Sequence, residues 1–295
     1  MNTTDISSEA VVLPPPVNDD SEPWTRIIRR KRGFVALDFR ELWRYRELLV
    51  FMVWRNILIR YKQTVIGVAW AVVQPVVTLV VFTVVFGKLA NLPSNGAPYA
   101  LLTAAAVLPW QFFSNGLTAG SNSVVAASNM VRKVYFPRLF IPLSDCLSGS
   151  LDFAISLLLL VGLMVWFKVA VTWALLALPL FTLVAVLTAF GGSLWLSAMN
   201  VKYRDVKYIV PFVVQAGLYI SPVGFMSAIV PEQWRLWYHL NPMVGVIDGF
   251  RWAVLGPGFM PDWRGVALSL AVVVTALVSG LFFFRRTERT FADVI

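Results

Sequence analysis

"VIGVAWAVVQPVVTLVVFTVVFGKL", residues 65–89, is the stretch that decides the fold. It has 25 residues and a single charged side chain, Lys88. As a helix it would be about 37 Å long at about 1.5 Å per residue, which exceeds the about 30 Å hydrocarbon core of a bilayer. The stretch therefore predicts a transmembrane helix. Gln74 and Pro75 interrupt its apolar character near the middle. Because a proline frees a backbone carbonyl, we expect one side of this helix to face protein or water.

The composition of the whole chain agrees with a membrane protein. Of 295 residues, 58% are hydrophobic and 14% are charged, and the mean hydropathy is +0.71. The net charge of +9 would suit a nucleic-acid partner only if the cations gathered on one solvated face, whereas they flank the apolar stretches. Cys146 is the only cysteine, which excludes an intrachain disulfide, and His239 is the only histidine, so no metal site is expected.

Further stretches are long and apolar enough to cross the membrane, at residues 99–119, 141–167, 171–199, 208–230 and 266–284. The predicted fold is therefore an all-α integral membrane protein with six transmembrane helices. Residues 1–36 have no apolar core and carry consecutive prolines and several acids, which predicts a disordered cytoplasmic tail. Residues 37–295 form the predicted membrane domain.

The positions of the cations support this count. If both termini are cytoplasmic, 20 of the 25 Lys and Arg residues lie in predicted inner segments. The predicted outer segments hold the other five, Lys88, Lys168, Arg235, Arg251 and Arg264. This asymmetry follows the positive-inside rule.

Two further regions predict helices that do not cross. Residues 38–60 repeat apolar side chains at helical spacing, and Asp38 with Glu41 forms a plausible capping box. We interpret them as an amphipathic helix in the membrane interface, with packing against a soluble partner as the alternative. Residues 231–258 are aromatic and half apolar, but Pro242 divides them. We therefore predict two short re-entrant helices that dip into the outer leaflet.

Two carboxylates lie within the third predicted span, seven residues apart and so on one face of a helix. We expect Asp145, near the cytoplasmic end, to pair with Arg132 or Arg138. Asp152 lies deeper, where an ionisable group is a candidate for function. A helix-packing hydrogen bond, a protonated carboxyl inside the bundle and a proton relay are the interpretations open for it.

Aromatic side chains concentrate on the second and fifth predicted spans and in residues 231–258. An interfacial belt and ordinary core packing account for such residues taken singly. The alternative is a lining of flat rings along which an amphipathic chain, such as a sugar polymer, could slide.

Residues 129–138, between the second and third predicted spans, read "NMVRKVYFPR". A short helix ending before Pro137 would present apolar side chains beside Arg132 and Lys133. An aromatic anchor with a basic rim fits a groove on another protein, whereas retention of charge inside the cell needs the cations alone. The predicted docking residues are Val131, Arg132, Lys133, Val134, Tyr135, Phe136, Pro137 and Arg138.

The sequence carries no catalytic motif. It has no G-x-x-x-x-G-K-[ST] phosphate loop, no D-x-D pair and no G-x-S-x-G elbow. The chain cannot hydrolyse ATP through a phosphate loop of its own. We therefore expect a transporter rather than an enzyme, with a separate ATPase docked on residues 129–138 as the energy source.

Several segments resemble, in the same order, the membrane subunit of polysaccharide ABC exporters, the type-2 permeases that carry O-antigen, teichoic acid and related glycans. They are "RYKQTVIGVAWAVVQP" (60–75), "NMVRKVYFPRLFIPLS" (129–144), "NVKYRDVKYIVPFVVQ" (200–215), "SPVGF" (221–225), "VPEQWR" (230–235) and "LNPMVGVIDGFRWAVLG" (240–256). The resemblance runs from about Asp38 to the C-terminus, and the acidic, proline-rich tail lies outside it.

The resemblance implies a homodimer with two ATP-binding-cassette ATPase subunits beneath it, which hold ATP and Mg, and no cofactor in this chain. Residues 129–138 would be the coupling helix, the first and fifth spans would line the path, and the outer helices would form its periplasmic gate. The channel-lining candidates are Gln74, Pro75, Trp110, Phe113, Tyr219, Pro222 and Phe225. The gate candidates are Trp234, Trp237, Asn241, Asp248 and Arg251, with the last two as a structural pair.

The implied function is ATP-driven export of a lipid-linked, O-antigen-type polysaccharide across the bacterial inner membrane, with both termini cytoplasmic. The expected partners are a polyprenyl-linked glycan and membrane lipid, without nucleic acid. Three alternatives stay open: an exporter of small molecules or of another glycan (teichoic acid, capsule) in the same superfamily, a proton-coupled carrier that works through Asp152, and a membrane-bound glycan-modifying enzyme.

Overall fold

The computed structural model describes residues 39–62, 67–133 and 136–291, and every regular element within these ranges is helical. The all-α prediction is confirmed. In chain order the α-helices are α1 (Phe39–Arg44), α2 (Arg46–Tyr61), α3 (Gly67–Phe82), α4 (Tyr99–Ala126), α5 (Ser128–Lys133), α6 (Phe140–Ser148), α7 (Ser150–Trp166), α8 (Leu178–Lys202), α9 (Val206–Ile220), α10 (Glu232–Tyr238), α11 (Pro242–Leu255) and α12 (Trp263–Thr287). The predicted tail at 1–36, Asp38 of the predicted capping box, Val134 and Tyr135 lie outside the described residues.

Within the described ranges, four helical segments are long and apolar enough to cross a membrane, at Ala69–Leu89, Phe140–Trp166, Trp173–Lys202 and Trp263–Thr290. They match the first, third, fourth and sixth predicted spans within a few residues. α4 has 28 residues, but polar side chains in its second half reduce its apolar character. α9 has 15 residues and is about 22 Å long, which is less than the hydrocarbon core. The second and fifth spans therefore stay predictions.

The prediction of one continuous helix at 208–230 is wrong in its second half. α9 ends at Ile220, and Ser221 has an extended backbone with ψ 154°. Ser221 precedes Pro222, and the residue before a proline disfavours the helical conformation. A single 3-10 turn at Ser227–Ile229 follows. We call residues 221–224, directly after α9, the exit loop.

Two other predicted helices are divided, and one predicted division is confirmed. The helix predicted at 38–60 is interrupted at Tyr45, between α1 and α2, and the third span is interrupted at Gly149, between α6 and α7. Pro242 is the first residue of α11, and the Asn241 side chain caps that helix by accepting from the Met243 N–H at 3.1 Å. The outer segment is thus two short helices, as predicted, and their position in the outer leaflet stays a prediction.

α4 lies at the centre of the bundle. It contacts α3, α6, α7, α8, α9 and α11, and all of its residues from 101 to 110 are buried. One apolar cluster surrounds its first half and includes Phe153, Phe181 and Phe250. A second cluster surrounds its other end and includes Met52, Phe136 and Phe284. The two ends of the bundle therefore have separate apolar cores.

Gly120 allows α4, α6 and α8 to approach one another closely. A Cβ atom at this position would lie 2.6 Å from Ser193 Cβ and 2.8 Å from Cys146 Sγ. Small residues at such contacts are typical of helices packed within a membrane, where close van der Waals contact drives association.

The perimeter of the bundle is apolar. Leu158 and Phe212 are each 72% exposed, and other large apolar side chains on α3, α7 and α12 are also exposed. A soluble protein rarely exposes so much contiguous apolar surface, whereas lipid covers it at no cost. The protein is therefore a membrane protein.

Candidate functional site

Three side chains at the C-terminal end of α2 hold both predicted intramembrane carboxylates. Asn56 Nδ2 donates to Asp145 Oδ1 at 2.5 Å, and Arg60 Nη1 lies 2.5 Å from Asp152 Oδ2. Tyr61 donates its hydroxyl to the other oxygen of Asp152. The two carboxylates therefore fasten α2 to the α6–α7 segment.

The predicted pairing of Asp145 with Arg132 or Arg138 is wrong. Its hydrogen-bond partner is Asn56, and Arg138 instead donates from Nη1 to the backbone carbonyl of Glu288. The sequence distance between Asn56 and Asp145 explains the error, since only the packing of α2 on α6 brings them together.

A cavity of about 680 Å³ with a mixed polar and apolar lining lies between α3, α4 and α7, next to the Arg60–Asp152 ion pair. The stripe Gln111, Asn115, Thr118 and Asn122 lines one wall, because spacings of three and four residues place these side chains on one face of α4. Trp70, Gln74 and Pro75 on α3 and Asp152, Phe153 and Ser156 on α7 form the other walls.

Hydrogen bonds hold part of this wall in place. Gln111 Nε2 donates to Thr78 Oγ1 at 3.1 Å, which links α4 to α3. Asn200 on α8 donates to Asn122 Oδ1 at 3.1 Å, so the amide at the far end of the stripe is also fixed. The cavity thus presents oriented amides and hydroxyls between membrane helices, where they can bind water or a polar ligand.

The channel-lining candidates divide between two places. Gln74 and Pro75 line the cavity. Trp110 is 5% exposed and packs in the first apolar cluster, where its ring lies 5.4 Å from that of Phe113. Gly217 on α9 faces Trp110, and a Cβ atom there would lie 2.8 Å from the indole. The candidates on and after α9 differ in exposure, since Tyr219 is 62% exposed, Pro222 is buried and Phe225 is half-buried.

The predicted coupling segment differs from its expected form. α5 ends at Lys133, and Val131 and Phe136 are only 3% and 6% exposed because both pack in the second apolar cluster. Two of the apolar side chains expected to face a partner are therefore part of this protein's own core, and the other two, Val134 and Tyr135, lie outside the described residues. Arg132 and Lys133 are exposed and carry the charge that a partner could contact.

Four side-chain hydrogen bonds fasten the end of α9 and the exit loop, three from residues 238–251 and one from α4. The Tyr238 hydroxyl donates to the Ile220 carbonyl at 2.6 Å, and Asn241 Nδ2 donates to Ser221 Oγ at 2.8 Å. Arg251 Nη2 donates to the Val223 carbonyl at 3.4 Å, and Tyr99 donates to the Gly224 carbonyl. The last carbonyls of a helix have no partner within it, and here other elements provide one. The end of α9 and the helices α10 and α11 therefore form one connected unit.

Asp248 and Arg251 lie on α11, with 3.9 Å between Asp248 Oδ1 and Arg251 Nη1. Both are buried, and Arg251 also donates through Nε to the Leu102 carbonyl of α4 at 3.5 Å. Burial raises the pKa of the Asp248 carboxyl above its ordinary value, and the neighbouring guanidinium opposes that rise. The pair is placed to hold α11 against α4 and the exit loop.

His239, between α10 and α11, is 1% exposed. Ser269 Oγ of α12 donates to its backbone carbonyl at 2.9 Å, and burial lowers the pKa of the imidazole below its ordinary value. The ring is therefore neutral at neutral pH and packs as a core residue. Among the described residues, no group of three or more His, Cys, Asp or Glu side chains could hold a metal ion.

Trp234 and Trp237 on α10 have a different environment from the buried pair. They are 58% and 64% exposed, so their rings face outward from the described part of the chain. Such rings are suited to a membrane interface or to a partner surface.

The profile of the ABC-2 type transporter family matches residues 47–255, which is more than half of the chain. The chain belongs to the ABC-2 type transporter family. It is 27% identical over 258 residues to the O-antigen export system permease protein RfbA of Myxococcus xanthus, which covers 87% of this chain and 98% of that protein. It is 24% identical over 251 residues to the protein of the same name from Klebsiella pneumoniae, covering 84% and 95%. It is also 23% identical over 252 residues to the polysialic acid transport protein KpsM of Escherichia coli, covering 79% and 91%.

Sequence reasoning missed several residues of this ABC-2 type transporter chain. The partners of the carboxylates, Asn56, Arg60 and Tyr61, gave no local signal because they are about ninety positions from them. The amide stripe on α4 did give a signal, since Gln111 and Asn115 repeat at helical spacing within a predicted span. Polar residues that recur on one face of a membrane helix indicate a wet or protein-covered surface.

Proposed function

We propose that this chain is the transmembrane subunit of an ATP-driven exporter that moves a polyprenyl-linked polysaccharide of O-antigen type across the bacterial inner membrane. The observation that carries the proposal is the similarity to O-antigen export permeases along 95% or more of their own lengths. Among the described residues, the amides of Gln74, Gln111 and Asn115 in the cavity between α3, α4 and α7 give a hydrophilic cargo groups to which it can hydrogen-bond.

The energy comes from a separate ATPase in this proposal. Two permease chains form a homodimer, and two ATP-binding-cassette subunits bind beneath it and hold ATP and Mg. The absence of a phosphate loop from the full sequence supports a separate ATPase. The exposed cations Arg132 and Lys133 support docking at the α5 segment, with charge rather than the buried Phe136 ring as the contact.

The proposed topology has six spans with both termini in the cytoplasm. In this topology α4 and α9 are two further spans, in addition to the four segments that are apolar and long enough to cross. α10 and α11 then dip into the outer leaflet as the periplasmic gate, and α2 lies at the inner interface. The distribution of the cations supports this orientation.

ATP closure of the partner subunits would move the coupling segment, which Arg138 ties to the end of α12 through the Glu288 carbonyl. At the outer side, the hydrogen bonds on the exit loop make the end of α9 and the gate helices move together. ATP binding and hydrolysis would therefore shift the population between two arrangements of this connected structure.

Deletion of the gene tests the function. We expect loss of surface polysaccharide and accumulation of lipid-linked glycan on the cytoplasmic side, both restored by the intact chain. A partner ATPase unable to hydrolyse ATP should give the same defect, which a proton-coupled carrier would not. Unchanged surface polysaccharide after deletion would contradict the proposal.

The similarity to KpsM favours capsular polysaccharide as a second candidate cargo within the same class. The chemical identity of the lipid-linked glycan that accumulates in the deletion strain separates the two. O-antigen repeat units would support the first, and an acidic capsular polymer would support the second.

A further inference from the structure

The cavity between α3, α4 and α7 exposes polar side chains in segments that pass through the membrane. Gln74 and Asn115 are exposed, and neither side-chain amide has a hydrogen-bond partner among the described residues. An unsatisfied amide in contact with lipid costs several kcal/mol, which makes a lipid-filled cavity unfavourable. Water, a ligand rich in hydroxyl groups or another protein surface must therefore meet these amides.

The chemistry of the wall varies along the cavity. Gln111 and Asn115 present amides, and Trp70 is 59% exposed with a flat ring available for face contact. Leu108 and Phe153 make another part of the lining apolar. The volume of about 680 Å³ falls within the range of about 300–1,000 Å³ that is typical of pockets for small organic ligands. This combination of oriented amides and a flat ring suits sugar rings.

The Arg60–Asp152 pair is part of the same lining. Arg60 keeps 41% of its side chain exposed. A guanidinium has five N–H donors in a planar fork, so it can bind a phosphate oxygen while another N–H stays on the carboxylate. Asp152 and the Tyr61 hydroxyl position the guanidinium at the edge of the cavity.

We propose that this cavity, within a single subunit, binds the junction between the lipid diphosphate and the first sugars of the cargo. The sugar hydroxyl groups bind Gln74, Gln111 and Asn115, and the diphosphate binds Arg60. The proposal rests on the proposed function and adds to it an entry site that is separate from the gate helices. The cargo would occupy this site before it enters the path across the membrane.

Cysteine accessibility tests the site. Cys146 is the only cysteine and is buried, so Cys146→Ser gives a background with little reactivity. In inside-out vesicles, we expect Asn115→Cys to react with a water-soluble maleimide about ten-fold faster than Val161→Cys, because maleimide needs a hydrated thiolate. Val161 is a matched control, since it is 51% exposed on the apolar face of α7. Gln111→Cys repeats the test if the first variant does not insert.

A defined probe then tests the ligand. Polyprenyl diphosphate N-acetylglucosamine at twice its dissociation constant should slow the labelling of Asn115→Cys about three-fold by mass action, and polyprenyl diphosphate without the sugar should slow it less. Arg60→Gln should weaken this protection. Asp152→Asn should weaken it less than Arg60→Gln does, because that variant loses the carboxylate that positions the guanidinium but keeps the guanidinium itself.

Labelling of Asn115→Cys no faster than that of Val161→Cys, or equal labelling with and without the glycolipid, would overturn the cavity site. If the deletion strain still accumulates lipid-linked glycan in that case, the proposed function stands and only the site is lost. If neither protection nor accumulation is seen, the exporter assignment fails together with the site.

Discussion

Two roles are open to Asp152, proton transfer and the fastening of one helix to another. A carboxylate inside a membrane helix is a candidate for proton transfer, but here it receives a guanidinium and a phenol from α2. Both oxygens of the Asp152 carboxylate are occupied by these side chains, so the carboxylate links α7 to α2. The structure therefore favours a fastening role for Asp152 over the proton-coupled carrier.

We predict that Asp152→Asn and Arg60→Gln each lower the stability of the purified protein by about 1 kcal/mol or less, because Arg60 is 41% exposed and solvent screens the pair. Thermal unfolding in detergent measures the change, and the double variant should lose less than the sum of the single variants. Polysaccharide export should persist in Asp152→Asn. Its abolition in that variant, with export intact in Arg60→Gln, would favour the proton carrier.

The Asp248–Arg251 pair has a different environment, since its side chains are only 10% and 3% exposed. We predict that Arg251→Met lowers stability by about 3–5 kcal/mol, because it leaves a carboxylate buried without its partner. Adding Asp248→Leu should restore much of the loss. Arg264→Met, an exposed arginine at the start of α12, is the control and should change the unfolding temperature little. An equal loss in both arginine variants would show that the pair has no special role.

At the scale of elements, α5 and the segment that follows it have exposed charges and buried apolar side chains. Arg132 and Lys133 face out, whereas Val131 and Phe136 pack into the apolar cluster around Phe284. A force on the exposed side would therefore reach the bundle core directly. This arrangement suits a segment that transmits a force from a partner to the bundle.

We predict that Arg132→Glu with Lys133→Glu reduces copurification of the partner ATPase about ten-fold, which corresponds to about 1.4 kcal/mol. The matched control is Arg204→Glu with Lys207→Glu, which changes two exposed cations, one just before α9 and one in its first turn. Similar ATPase recovery from both double variants would exclude α5 as the main contact. Phe136→Ala is unsuitable for this test, since loss of a buried ring costs about 3–5 kcal/mol of stability.

At the scale of the whole molecule, the two apolar clusters lie at opposite ends of α4. The cavity between α3, α4 and α7 opens beside it. α4 therefore connects both cores with the surface proposed to bind cargo. The polar stripe makes α4 less apolar than its neighbours. Its buried first half places it at the centre of the bundle.

The six-span topology makes a prediction for the whole chain. In the Cys146→Ser background, Asn95→Cys and Gly258→Cys should react with a membrane-impermeant maleimide added to intact spheroplasts, because both loops are expected outside. Arg204→Cys should react only after the membrane is opened. Labelling of Arg204→Cys from outside would contradict the topology.

Much of this fold follows from local patterns, and the rest depends on long-range contacts. Apolar run length predicts the span at 65–89, and Pro242 predicts the division of the outer helices, because both signals lie within a few residues. Pro222 carried an equally local signal for the end of α9, but the apolar run beyond it outweighed that signal in the prediction. The Asn56–Asp145 contact has no local signature, since it arises only when α2 packs on α6.

The four side-chain hydrogen bonds at the end of α9 and on the exit loop limit where two such proteins can be joined in a chimera. Grafting residues 227–262 from a relative would replace Tyr238, Asn241 and Arg251 at once, and any mismatch would strand acceptors at the end of α9. A chimera should therefore take α9, α10 and α11 from the same parent protein. Chimeras designed to change cargo should place their junctions before α9 and after residue 262.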